Sequence, residues 1–199
     1  VIGYGKIIPE KVIYLPKRGT INLHYSLLPK YRGASPVETA ILNDETVSGI
    51  TIQQMKYQLD AGDILFQEEI KVSDSDTTSV LREKMNTKSL EIFPTFLERL
   101  FGDKLSSRPQ DESKATKCSK ISKEDMDVSE EIKIVDMENI YRKWKAYDKK
   151  VYFFTDELRV KITEMSKDDD GIKIVKVLPE SKHEITLAEF ESFSGKIFK

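Results

Sequence analysis

Asn22 and His24 stand two residues apart in the run T-I-N-L-H-Y-S-L-L-P-K-Y-R-G-A-S-P, residues 20–36, and their types are suited to chemistry. In extended backbone, residues two apart point the same way, so the carboxamide and the imidazole face one cleft while Ile21 and Leu23 turn into the core. A carboxamide can donate to an oxygen that gains negative charge, and an imidazole can move a proton near neutral pH; together they suit acyl-type transfer. Asp60, in L-D-A-G-D at 59–63, offers a third group. A carboxylate beside an imidazole favours its charged form and fixes its tautomer. Residue types alone leave a second reading open: Asn-x-His at a strand end is also turn chemistry around a satisfied histidine, and Asp before a small residue and Gly is a common turn.

The elements that must hold these groups follow from hydropathy. Val1 to Tyr4 reads as a buried central strand and Glu10 to Tyr14 as a short helix. Thr20 to Leu23 is then a second strand, a strand–helix–strand unit that predicts a parallel sheet. Ligands of such sheets lie off the carboxyl ends of strands, where 3–8 and 24–33 fall. Ser35, Pro36 and Glu38 predict a capping box opening a helix. Ser48 to Gln54 alternates as a half-buried strand with Ile64 to Val72 as its partner, and the connection 55–63 exceeds a tight hairpin. Thr77 to Phe101 has a helical apolar period that includes Val80, Leu81, Met85, Leu90 and Phe96, with Pro94 as a kink or break.

Composition narrows the classes. A chain of 199 residues, 39% hydrophobic and 33% charged, holds one large domain or two small ones. A net charge of -2 gives no global field for nucleic acid, so an RNA ligand needs a local patch. Cys118, the single cysteine, excludes an internal disulfide. No apolar run approaches a membrane span, and no metal-ligand cluster or phosphate loop stands out. The opening Val1-Ile2-Gly3-Tyr4, without Met, reads as a fragment whose upstream part is missing.

Residues 102–120 turn to Ser, Lys, Arg, Asp and Pro without apolar period, a linker signature. Beyond them, 121–125 reads as a capped turn, 137–144 as a short helix, and 151–154, 157–162, 171–178 and 183–187 as short strands, which together predict a small barrel. The domains are thus 1–101, a linker 102–120, and 121–199. Lysines and arginines gather around the linker and around Trp144 and Tyr147, as in Arg142, Lys143, Lys145, Lys149 and Lys150. Basic residues beside aromatics suit RNA, although acidic neighbours dilute the field.

Asn22-Leu23-His24, Ser26-Leu27-Leu28-Pro29, Tyr31-Arg32-Gly33-Ala34-Ser35-Pro36 and Leu59-Asp60-Ala61-Gly62-Asp63 occur in an order that resembles the folate-dependent formyltransferases. The resemblance covers nearly all of 1–101 and extends more weakly to the C-terminus. It implies an α/β fold: the C-terminal half of a Rossmann-like formyltransferase domain followed by an oligonucleotide-binding-like β-barrel. It implies transfer of a formyl group from 10-formyltetrahydrofolate, without a metal, to the amine of methionyl-initiator tRNA for translation initiation. Amino sugar nucleotides and glycinamide ribonucleotide are the alternative acceptors, and a non-catalytic RNA-binding fragment is the alternative of another class. Carried onto this chain, Asn22 and His24 polarise the formyl oxygen and Asp60 orients His24. Ser26, Leu27, Leu28 and Pro29 meet the folate, with main chain near Gly5 and Ile8 reaching the pterin, and Arg32 with Gly33 is placed to touch phosphate. A monomer in the bacterial cytoplasm or an organellar matrix is the setting the resemblance implies.

Overall fold

The computed structural model describes every residue except Asp156, Glu157, Lys196 and Lys199. The chain divides into two compact units, Val1–Lys120 and Ile121–Lys199.

The first unit is organised on β3 (Val47–Gln54), which lies between β1 (Ile21–His24) and β4 (Ile64–Lys71) in one sheet, antiparallel to both. Its residues 48–53 are all buried, so the half-buried alternation expected there does not hold. A central strand is covered twice. Ile50 and Ile52, both 0% exposed, fill one face, each contributing roughly 1.5–3 kcal/mol of burial. Thr51 and Gln53, also buried, project from the other, where loops bind them: the Thr51 hydroxyl donates to the Ser26 carbonyl at 2.6 Å. The helix α1 (Glu10–Ile13) tucks only Ile13 inward. Val1–Tyr4, expected as a central strand, makes a single parallel bridge, Ile2 to Leu23, and Ile2 and Tyr4 are exposed. Gly3 at φ 58° turns the backbone left-handed and ends the extended run.

Past β1 the chain forms β2 (Arg32–Gly33) and α2 (Pro36–Leu42). Ser35 occupies the cap position of α2 with Pro36 behind it, but its side chain makes no capping hydrogen bond, so the predicted box is not formed. After β4 comes α3 (Thr78–Phe101), capped by the Thr77 hydroxyl and uninterrupted at Pro94. Leu81, Met85 and Phe96 face inward as expected, whereas Val80 and Leu90 are exposed. A narrow stripe suffices because α3 packs on β3, β4 and α2 rather than across the full sheet.

The stretch 102–120 is no free linker. Arg108 exchanges backbone hydrogen bonds with Ile64 at 2.8 and 3.0 Å, and β5 (Lys117–Cys118) pairs in parallel with β2. Backbone pairing and polar side chains such as Gln110 and Glu112, rather than apolar ones, hold it within the first unit, so hydropathy could not reveal it.

In the second unit, β6 (Tyr152–Thr155), β7 (Leu158–Asp168), β8 (Gly171–Pro179) and β9 (Ile185–Thr186) form an antiparallel sheet in chain order. The small β unit expected here is present; Glu157, expected to start a strand, lies outside the described residues. Among the described residues, three α-helices accompany the sheet: α4 (Ser129–Ile134), α5 (Met137–Ala146) and α6 (Leu187–Ser194). Ile140, Tyr141 and Trp144 lie on one buried side of α5, the Trp144 indole donating to the Ile162 carbonyl at 3.2 Å. Phe153 and Phe190 meet edge to face at the centre, 6.4 Å between rings. Among the described residues, no helix is long and apolar enough to cross a membrane.

Candidate active site

β1 carries Asn22 and His24 to the edge of β3, in register opposite Gln53 and Thr51. The His24 ring is 6% exposed, and its Nε2 lies 2.8 Å from the Tyr31 carbonyl oxygen. A carbonyl only accepts, so Nε2 carries the proton. That leaves Nδ1 toward Asp60, whose Oδ2 is 3.7 Å away, and both side chains are at least nine-tenths buried. The distance is longer than a hydrogen bond.

Asp60 is itself fixed from two directions. Oδ2 accepts the Gly33 N–H at 2.8 Å and Oδ1 accepts the Gln53 amide at 3.0 Å. The backbone at Asp60 is left-handed, φ 48°, a conformation Asp tolerates better than most residues. Two residues on, Gly62 donates to the Gln53 side-chain oxygen at 3.0 Å. One amide on β3 therefore holds both the carboxylate and the loop that presents it.

Two cavities open on this wall and share Asn22 and Asp60. One, of about 390 Å³, has a largely apolar lining from Ile7, Ile8, Ile13 and Met55. The other, of about 410 Å³, is lined by Gly5, His24, Tyr25, Gly33 and Arg82. Either is large enough for part of a small ligand. The arrangement offers a carboxamide and a carboxylate that line both cavities, and an imidazole that lines one, with a proton directed by its neighbours. It can polarise a carbonyl in one compartment toward a nucleophile arriving from the other.

Asn22, His24 and Asp60 are thus brought together, and Gly5 and Ile8 lie at the cavities. Ser26 to Pro29 are placed elsewhere. Ser26 is fully buried and its hydroxyl donates to the Lys30 carbonyl at 2.6 Å; the Leu28 N–H donates to Thr51 and its carbonyl accepts from Gln67. The Leu28–Pro29 bond is cis. This stretch spends its polar groups inside the fold and lines neither cavity. Arg32 is also turned inward: 4% exposed, it spends four of its five N–H donors on Gln110 and Glu112 rather than facing an outside phosphate. Glu112, held by that guanidinium, is pushed below the usual carboxylate range.

Sequence reasoning missed Gln53, Tyr31 and Gln110. Thr51 and Gln53, polar residues alternating with Ile50 and Ile52 in a buried strand, are the signal for the first. Tyr31 acts through its carbonyl, which has no signal, though its side chain is also constrained: burial, then its hydrogen bond to Glu45, pushes the phenol up to about 12. In the second unit the aromatics of α5 are buried and the lysines beside them are engaged, Lys143 with Glu131 at 2.5 Å and Lys149 over the Trp144 ring. Trp144 and Tyr141 therefore present no free face for stacking bases. Among the described residues, no group of three or more His, Cys, Asp or Glu is placed to hold a metal ion.

Residues 1–97 match the family model described as formyl transferase. Over those residues the chain is similar to the formyl transferase family. The methionyl-tRNA formyltransferase of Thermotoga maritima is 43% identical over 150 residues, 74% of this chain and 46% of the relative. The chain spans about half the length of that relative. Among solved structures, methionyl-tRNA formyltransferase from Clostridium thermocellum is similar over 92% of this chain and 75% of its own, with a TM-score of 0.67 and 20% identity, which shows the fold. The formyltransferase PseJ from Anoxybacillus kamchatkensis, solved with a UDP-linked formamido sugar and tetrahydrofolate, is 28% identical with a TM-score of 0.54, covering 59% of this chain and 61% of its own. The formyl transferase segment thus includes Asn22, His24 and Asp60, and the Gln110–Cys118 wall lies beyond it.

Proposed function

We propose that the protein transfers a formyl group from 10-formyltetrahydrofolate to the amino group of methionyl-initiator tRNA, for translation initiation, and that Asn22, His24 and Asp60 carry the step. The observation that supports this most is the convergence of His24 Nδ1 and Asp60 Oδ2 at 3.7 Å beside Asn22, where two cavities meet. The amine attacks the formyl carbon and a C–N bond forms while the carbonyl oxygen takes the negative charge. The Asn22 amide and the His24 ring stabilise that oxyanion, and Asp60 orients the ring. Asp60 also accepts the amine proton through water. Collapse breaks the bond to the folate nitrogen, which leaves with a proton. The apolar cavity beside Ile7, Ile8 and Met55 suits the pterin, with main chain near Ile8 as its polar edge and Gly5 next to it in the cavity containing Arg82, which then faces the acceptor. Solved relatives that bind folates, PseJ among them, support the donor assignment. A monomer working in the bacterial cytoplasm or an organellar matrix, without a membrane partner, is part of the same reading.

The test is turnover of the full-length protein with 10-formyltetrahydrofolate and charged initiator tRNA. Asn22→Ala, His24→Ala and Asp60→Ala each lower kcat by roughly 10²–10⁴-fold with the fold retained. A variant with the wild-type rate removes that residue from the mechanism. Turnover of an amino sugar nucleotide, as the PseJ complex illustrates for its own protein, in place of tRNA would overturn the acceptor.

A further inference from the structure

We infer that Gln110, oriented by Arg32, is a positioning residue for Asp60, and that the segment around it completes the formyl-transfer site; this rests on the reading of Asn22, His24 and Asp60 given above. Both donors of the Gln110 amide are used on the loop that carries the carboxylate, to the Asp60 carbonyl at 2.8 Å and the Gly62 carbonyl at 2.7 Å. The clamp spans Ala61 and holds the left-handed turn at Asp60 from outside, while Gln53 holds it from inside. The Gln110 oxygen accepts from Arg32 Nε and Nη2 at 2.9 and 2.7 Å, which fixes which way the amide faces. Arg32 in turn forks onto Glu112 at 2.8 and 2.9 Å. A planar guanidinium held by a bidentate carboxylate on one edge and a shared amide oxygen on the other has one orientation, which a lysine could not reproduce.

The backbone on either side of Arg32 reaches the other two groups. The Tyr31 carbonyl receives the His24 ring, and the Gly33 N–H donates to Asp60. Residues 116–118 hold that tripeptide: the Thr116 hydroxyl and carbonyl accept from Tyr31 and Arg32, and the Cys118 carbonyl accepts from Ala34. One short strand and one glutamine from the stretch 102–120 therefore set the positions of both His24 and Asp60. A loss of that support displaces the carboxylate without touching any ligand.

The experiment uses the full-length protein. Gln110→Met keeps length and removes every polar contact; Gln110→Glu keeps the acceptor for Arg32 and removes both donors; Arg32→Lys keeps charge and loses the fork. Each lowers kcat on the order of 10–100-fold while KM for 10-formyltetrahydrofolate stays within about two-fold, since the donor cavity is intact. In an Asp60→Ala background, Gln110→Met has no further effect on kcat, because its action runs through the missing carboxylate. Wild-type kcat for Gln110→Met, or a loss that multiplies with Asp60→Ala, overturns the proposal. Failure of both Gln110 variants to fold makes the residue structural and overturns it as well. If Asp60→Ala itself keeps the wild-type rate, the site reading has failed; if Asp60→Ala is slow and Gln110→Met is not, only this inference has.

Discussion

Replacing Gly62 with alanine tests the site by geometry alone. A Cβ there would stand 1.7 Å from the Gln54 carbonyl oxygen and 3.1 Å from the Gln53 side-chain oxygen. A carbon and a carbonyl oxygen settle at about 3.3 Å, so loop and strand must separate by about 1.6 Å. Neither side yields cheaply: the oxygen belongs to β3 backbone, and Gly62 is held by Gln53 on one side and Gln110 on the other. Asp60 lies two residues away on the same turn and moves with it. A misplacement of about 1 Å costs on the order of 100-fold in rate, and overpacking of this kind costs about 1–3 kcal/mol, roughly 3–12 °C in Tm for a unit of this size. Steady-state formylation by full-length Gly62→Ala, with a thermal melt on the same preparation, measures both. Turnover within a factor of two of wild type at an unchanged Tm would show that the loop relaxes without moving the carboxylate, and the positional argument for Asp60 would fall.

Further outcomes follow from the same structure. Phe153→Ala, at a position 1% exposed, destabilises the second unit by about 3–5 kcal/mol, whereas Phe154→Ala, at a position 49% exposed, stays within about 0.5 kcal/mol; chemical denaturation distinguishes the two. Thr186 and Glu189 form a complete capping box at the start of α6, so Thr186→Ala costs about 1 kcal/mol in the same assay. The Tyr31 phenol, raised from 10.0 to about 12 by burial and by Glu45, contributes stability that is full below pH 10 and lost as pH rises through about 12. Tyr31→Phe therefore removes one late-titrating phenol from the alkaline absorbance difference spectrum; an unchanged spectrum above pH 11 would contradict the assignment.

Much of this was legible in the sequence where side chains do the work. The antiparallel pair β3–β4 and the long α3 follow from apolar period, and Asn22, His24 and Asp60 stood out as chemically unlike groups near strand and loop ends. What hydropathy cannot see is backbone bonding. Residues 102–120 look like a linker because they bury little apolar surface, yet they donate and accept along β2 and the 60–62 loop. Arg32 looked exposed for the same reason: its burial is made tolerable by Gln110 and Glu112, which nothing local predicts. The inward turn of Ser26–Pro29 depends on Thr51 and Gln67 arriving from β3 and β4. The helix α6 was legible and passed over, since Thr186-Leu-Ala-Glu189 is a cap signature.

The pairing of β2 with β5 has a consequence for the order of events during synthesis. Arg32 meets its side-chain partners 78 and 80 residues later in the chain, and Tyr31 meets the Thr116 hydroxyl 85 residues later. Contacts of such sequence separation form after local ones. On a ribosome, the nascent polypeptide can therefore fold β3, β4 and α3 while the pocket wall is still unmade, and the proposed site gains its geometry only once Cys118 has emerged from the exit tunnel.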